Sequence, residues 1–254
     1  MTLASHVGPP TLPTARSLPG SRHNALAGKG LFFAVTFALL LLLSAGFLVT
    51  PQLILGAPIP EGGGFVQKIF FYHVPAAWVA LLSVLLAGGS SAYAIFRRST
   101  LAEDIADSAA ELAVLFGLMV LLTGPLWARA AWGKYWVWDA RLTTTLVLWL
   151  IFVVYLVVRR HGGRQGRVLA MALALFGALD VPPVWLAVTL WRTHHPSTEY
   201  VPSLAHEARS AFFGSLVLFS LFFGALLLVR LWLARLSRRV KETEVHLEAF
   251  REEP

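Results

Sequence analysis

The sequence predicts an all-α polytopic membrane protein: six transmembrane helices, with a tryptophan-rich outer loop between the third and the fourth. Two observations carry that class. Of the 254 residues, 57% are apolar or aromatic and only 14% are charged, against about 45–50% and about 25% in a soluble domain. Six runs are also long enough to cross a bilayer, which takes about 20 mostly apolar residues. This composition excludes a disordered chain, a collagen-like chain and an ordinary soluble enzyme. The chain has no cysteine. Disulfides, CxxC redox chemistry, thiolate metal sites and thioether attachment of a cofactor are therefore excluded.

The first 29 residues are rich in Pro, Ser, Thr and Gly and read as a flexible tail. The first span is Leu31 to Val49, closed by Pro51. It is long enough to span and is read as a retained helix, not a cleaved signal. The second runs from about Ile69 to Phe96, the third from about Ile105 to Trp127 and the fourth from about Thr143 to Val158. The fourth is short, so its outer end is expected to reach into the preceding loop. The fifth is about Val168 to Leu190 and the sixth about Ala211 to Ala234. The membrane domain thus covers residues 30–236, and 237–254 form a mixed-charge tail with the makings of a short helix.

Net charge is +7, which in a soluble protein suggests nucleic acid. With the N-terminus placed inside, fifteen of the 21 Lys and Arg fall on the inner side. The positive-inside rule selects that orientation, with both termini cytoplasmic. Topology then explains the charge, and a nucleic-acid partner loses its motive.

The inner segments look like plain solvated chain. The outer loop, Trp127 to Thr143, does not: its 17 residues hold four Trp, one Tyr, one Asp and three cations. An aromatic interface belt is the plain explanation. A belt, however, needs one or two anchors per helix, not a cluster in one loop. If the stretch is helical, Trp132 and Trp136 share one face and Trp138 points away. If it is bent, the rings can meet as a platform for a large planar apolar ligand.

The eight histidines divide in two. His6, His23, His161 and His246 lie in tails or an inner loop. His73, His194, His195 and His206 all fall at outer ends of spans. Imidazole is a common axial ligand of haem iron, in pockets that are otherwise largely apolar. Two imidazoles, an aromatic wall and a cation for the propionates would make a haem site. Arg129, Lys134, Arg141 and Arg192 are the cations at hand. One ionisable residue is read as buried within a span: Asp180, followed by Val181-Pro182-Pro183. A carboxylate at membrane depth costs about 2.5–3.5 kcal/mol on insertion scales. Either it is paired or functional there, or a proline kink lifts it toward the outer interface.

At this point the residues resemble a known family. Trp132-Gly-x-x-Trp136-x-Trp138-Asp139 is similar to the WWD signature of haem-handling proteins of cytochrome c biogenesis. Its continuation, Asp139-Ala-Arg141-Leu-Thr143, resembles the haem exporter protein C branch, the C component of the Ccm system. So do Tyr72-His73-Val-Pro75-Ala-Ala-Trp78 and Val181-Pro182 followed by Trp191-Arg-Thr-x-His195. The likeness covers roughly residues 30 to 236. The long polar N-terminal tail departs from the family.

The resemblance implies haem b bound as cargo at the outer face of the bacterial inner membrane. It implies His73 and His195 as the two metal ligands, although a one-residue shift would put His194 on the iron. Trp132, Trp136 and Trp138 would lie against the porphyrin, with Tyr135 a further candidate. Asp139 and Arg141 would pair and shape the loop, or Arg141 would hold a propionate. The implied partners are the periplasmic haem chaperone CcmE, the ABC transporter components CcmA and CcmB, the small component CcmD, and membrane lipid. No nucleophile, acid–base pair or protease motif stands out, so the chain is expected to deliver haem and not to act as an enzyme. The rivals are a bis-His membrane cytochrome b that transfers electrons and a permease using Asp180. A cytochrome b usually places ligands deeper, often with a second pair near the other face.

Overall fold

The computed structural model describes residues 64–196 and 200–252, with Ala34, Ala38 and Gly56 as single positions. The predicted tail 1–29 and most of the first span lie outside the described residues. A 3-10 turn, Gly64–Ile69, leads into α1, Phe70–Arg97. Next come α2 (Thr100–Trp132), α3 (Ala140–His161) and α4 (Gly163–Leu190). A short α5 (Tyr200–Ser203) precedes α6, His206–Glu252. Among the described residues there is no strand. Five helices, α1 to α4 and α6, are long and apolar enough to cross a membrane. They match the second to sixth predicted spans.

Local chemistry sets the ends. Arg98 takes a left-handed φ of 50° and stops α1. Ser99 then caps α2, accepting the Ala102 N–H at 3.3 Å, the role for which serine is favoured at that position. Gly133 adopts φ 74° and its N–H bonds Arg129 O, ending α2 after Trp132, a conformation glycine takes without a Cβ penalty. Asp139 caps α3 through a 2.9 Å bond from the Leu142 N–H. The fourth predicted span does extend outward, to Ala140. Prolines 75, 125, 182 and 183 lie within helices that continue through them. The Pro182-Pro183 pair therefore does not end α4. The predicted tail after Leu236 is not separate either: α6 runs on through it to Glu252.

Helices α1 and α2 form the centre. They pack on each other, α4 packs on α1, α3 on α2 and α4, and α6 on both α1 and α2. The main core joins Ala87, Ala109, Ala110, Ala113, Ala170 and Ala174 with Leu148, Phe152 and Tyr155. Small residues are what membrane helices use to approach closely where lipid offers no hydrophobic drive. A second core packs Phe116 and Phe223 with Val79, Ala80 and Leu112.

The reading of Asp180 as the single buried ionisable residue is corrected by α2. Glu103 and Asp104 are buried, and Asp107 and Glu111 follow on the same helix. Each meets an arginine. Asp107 accepts from Arg159 Nε at 2.7 Å and from the Tyr155 hydroxyl at 2.7 Å. Glu103 accepts from Arg167 at 2.7 Å and lies 3.5 Å from Arg159. Asp104 pairs with Arg238 and Glu111 with Arg230. A carboxylate removed from water is tolerated when paired, and these arginines are ones the sequence reading treated as solvated. Asp180 itself leaves one buried oxygen, Oδ2, without a hydrogen-bond partner among the described residues.

Candidate functional site: a cavity between two histidines

A cavity of about 570 Å³ reaches the tryptophan-rich end, where Trp127, Trp132 and Trp136 line it, and is walled by α1, α2, α3, α4 and α6. That is within the roughly 300–1,000 Å³ range of small-molecule pockets. Its wall is mostly aliphatic and aromatic, including Phe70, Trp78, Val84, Gly117, Trp149 and Phe152. The polar groups gather at the tryptophan-rich end: His73, His195, Arg141 and Gln67.

His73 stands on the first turn of α1 and His195 just past the end of α4. Their ring centres are 6.5 Å apart, with planes 36° apart. A metal binds an imidazole nitrogen at about 2 Å, so two imidazoles on opposite sides of one ion hold their ring centres roughly 6 Å apart. The observed spacing fits that arrangement. His73 Nδ1 lies 2.9 Å from Thr123 Oγ1. His195 Nδ1 lies 2.9 Å from the Pro196 carbonyl oxygen. A carbonyl can only accept, so Nδ1 of His195 carries the proton and Nε2 keeps its lone pair. Burial, aided by the Arg141 charge, pushes the His195 pKa below the ordinary 6.5; the Pro196 carbonyl and Asp139 pull weakly the other way. The ring is thus held neutral, the state a metal ligand needs. Among the described residues no group of three or more His, Asp or Glu comes together to hold a bare metal ion. Two imidazoles at this spacing suit a metal that brings its own equatorial ligands.

The structure separates His195 from its neighbour. His194 does not line the cavity; its ring packs on Trp132 with centres 5.6 Å apart. Asp139 fixes this division. Its Oδ1 caps α3, while Oδ2 accepts from Thr193 Oγ1 at 2.5 Å and from the His194 N–H at 3.0 Å. Burial alone would raise the Asp139 pKa, but the bonds from Leu142, Thr193 and His194 outweigh it and hold the carboxyl below its ordinary 3.8. Asp139 does not line the cavity and acts on the His195 loop. Arg141 does line it, yet its guanidinium donates to Val184 O at 2.8 Å and Trp185 O at 3.2 Å. The expected Asp139–Arg141 ion pair is not among the ion pairs of the described residues.

The loop is bent, not helical, because Gly133 has already ended α2. Trp132 and Trp136 both reach the cavity wall. Trp138 is 75% exposed and meets Trp136 edge-to-face, with centres 5.6 Å apart. Tyr135 is exposed and lies under Arg129, 5.7 Å from ring centre to guanidinium carbon. Of the four candidate cations, only Arg141 lines the cavity. Trp136 Nε1 is buried and has no hydrogen-bond partner among the described residues. A buried donor at a cavity wall calls for an acceptor, and a ligand carboxylate supplies one. His206 opens α6 away from the cavity lining.

Sequence reasoning passed over Trp127, whose Nε1 donates to Gln67 Oε1 at 2.7 Å, and Trp149, which donates to Val114 O at 3.0 Å. It also passed over Thr123. Trp127 carried a signal, as the first residue of the loop cluster; a lone Thr in an apolar helix carried none.

The family "Heme exporter protein C" matches residues 20–246. The chain is 32% identical over 191 residues to "Heme exporter protein C" of Bradyrhizobium diazoefficiens, covering 74% of this chain and 72% of that protein. It is 30% identical to the Escherichia coli K12 protein of the same name, covering 69% and 73%. A "Putative cytochrome c biosynthesis ccmC-like mitochondrial protein" of Marchantia polymorpha is 34% identical, over 56% of this chain and 61% of that one. With a family match that spans most of its length, the chain belongs to the heme exporter protein C family.

Proposed function

We propose that this chain takes up haem b as cargo between His73 and His195 and delivers it to a periplasmic haem chaperone for cytochrome c maturation. Family membership supports a role in haem export and cytochrome c maturation. The observation that carries the reading is the pair of cavity-lining histidines with ring centres 6.5 Å apart, each with Nδ1 engaged elsewhere. Haem would bring the equatorial ligands that the protein lacks. His73 and His195 supply the axial nitrogens, Trp132 and Trp136 wall the ring, and Trp136 Nε1 is the free donor for a carboxylate. Trp138, exposed at the rim, is placed to meet an incoming partner.

In this reading the tryptophan-rich end faces the periplasm of the bacterial inner membrane and both termini are cytoplasmic. The arginine-rich end then lies inside, as the positive-inside rule requires. CcmE receives the cargo, and CcmA, CcmB and CcmD share the complex. The chain contributes binding and orientation and is not itself an enzyme. An electron-transferring cytochrome b fits less well, because among the described residues no second histidine pair lies within the spans.

The test is the oxidised and reduced spectrum of the purified protein with a pyridine haemochrome assay. We expect co-purified b-type haem, low-spin, disturbed by His73→Ala and His195→Ala but not by His194→Ala. Removing the chaperone should raise retained haem. Absence of haem in wild type from haem-replete cells would overturn the proposal, and retention indifferent to the chaperone would favour electron transfer.

A further inference from the structure

We propose that Thr123 and Gly124, on α2, are positioning residues that form the seat of His73. Thr123 decides which ring nitrogen carries the proton, and Gly124 decides how close the ring lies to α2. The inference rests on the reading of His73 as a haem ligand. Thr123 Oγ1 donates to the Met119 carbonyl at 2.7 Å, with a weaker contact to Val120 O at 3.4 Å. A hydroxyl has one hydrogen. With that hydrogen on Met119 O, the oxygen accepts from His73 Nδ1, 2.9 Å away; in that arrangement, which the proposal assigns, Nδ1 is the protonated nitrogen and Nε2 keeps its lone pair.

Backbone carbonyls four residues earlier are common partners for Thr in membrane helices. That habit accounts for the Met119 bond alone. It does not account for an imidazole nitrogen within bonding distance on the other side, from a residue 50 positions away in sequence. A hydrogen-bond partner on the second ring nitrogen fixes the tautomer and orientation of a ligating histidine and raises its basicity. The Pro196 carbonyl does the same for His195, so both rings offer the same nitrogen.

Gly124 completes the seat. A Cβ there would stand 3.2 Å from His73 Cε1 and 3.8 Å from Nδ1. Cε1 sits between the two ring nitrogens, so pressure on it swings Nε2. A methyl group at 124 requires the ring that Thr123 aligns to give by a few tenths of an ångström.

The experiment uses the full chain in lipid nanodiscs, as wild type, Thr123→Ser, Thr123→Val, Gly124→Ala and His73→Ala. Haem affinity, the reduction potential of bound haem and histidine ¹⁵N NMR of the haem-free protein are measured. Thr123→Val should weaken haem binding about tenfold or more and shift the potential, with Thr123→Ser close to wild type. The haem-free NMR should show one His73 tautomer, protonated at Nδ1, in wild type and Ser, and both tautomers in Val. Gly124→Ala should weaken haem binding with the tautomer kept. Wild-type behaviour of Thr123→Val in all three readouts would overturn the Thr123 role, as would equal loss in Ser and Val. Unchanged haem binding in Gly124→Ala would overturn the Gly124 role. If His73→Ala leaves the haem spectrum intact, the ligand reading itself falls; the haem-free tautomer still decides separately whether Thr123 sets the ring. Should Thr123→Val fail to fold, the wild-type tautomer alone decides: protonation at Nε2 overturns the proposal.

Discussion

The Thr193 hydroxyl joins Asp139 to the ligand loop: it donates to Asp139 Oδ2 at 2.5 Å and accepts the His195 N–H at 3.1 Å. One carboxylate thus starts α3 and holds the backbone on which His195 rides. Asp139→Ala should lose the helix cap, worth about 1 kcal/mol, and free the loop as well. We expect a lowered unfolding temperature together with a several-fold drop in retained haem. Thr193→Val keeps the cap and should lose haem with a smaller effect on stability. Haem content and thermal unfolding of the two variants separate these effects; full haem retention in both would refute the clamp.

The pH dependence follows from His195, which lies beyond the end of α4. Its pKa in the folded protein is pushed below 6.5, so the unfolded chain takes up the proton first as pH falls. The stability contributed by the neutral ring is complete above about 6.5 and is lost as pH drops through the lower, folded value. Ligation needs the same neutral ring. Acid release of haem should therefore have its midpoint below pH 6.5, read by stopped-flow absorbance. A midpoint at or above 6.5 would count against this environment for His195.

Trp136 and Trp138 should differ sharply although only two residues separate them. Trp136 lines the cavity, so Trp136→Ala should strip most of the haem. Trp138 supports it from outside by one edge-to-face contact, worth about 0.5–1.5 kcal/mol. Trp138→Ala should cost no more than about tenfold in haem affinity while impairing transfer to the chaperone. Titration of both variants with haem, followed by a transfer assay, gives the two numbers.

At the other end of the bundle, Arg159→Met should destabilise more than Arg230→Met. The Arg159–Asp107 pair is 23% and 29% exposed, against 40% and 38% for Arg230–Glu111. Breaking a fully buried pair costs about 3–5 kcal/mol, and a surface pair contributes about 0–1. We expect roughly 2 kcal/mol for Arg159→Met, between those limits, and below about 1 for Arg230→Met. Denaturant unfolding in mixed micelles checks the order, and equal costs would contradict it.

The second to sixth spans were legible because a bilayer dictates the length of an apolar run, whereas the end of α2 at Trp132, five residues beyond the predicted end of the third span, was not read from the sequence. The candidate ligands His73 and His195 were legible from their motifs. What separates His195 from His194 was not, since that depends on Thr193 meeting an aspartate from a distant loop. Thr123 was silent for the same reason: a hydroxyl in an apolar helix gains meaning only from its partner. The carboxylates of α2 vanished into an apolar average. Their spacing did hold a signal, because Glu103, Asp107 and Glu111 recur every four residues and so share one helix face.

Those carboxylates also act as teeth of a rack. Asp104 and Glu111 engage Arg238 and Arg230 of α6, about two turns apart on each helix. A slide or roll of α6 by one turn disengages both at once, so the helix is keyed to a single register. The same rod carries Phe212 and Leu216 to the cavity wall, roughly 20–27 Å from Arg230 at about 1.5 Å per residue. The chamber at one end of the bundle is gauged by ionic teeth at the other.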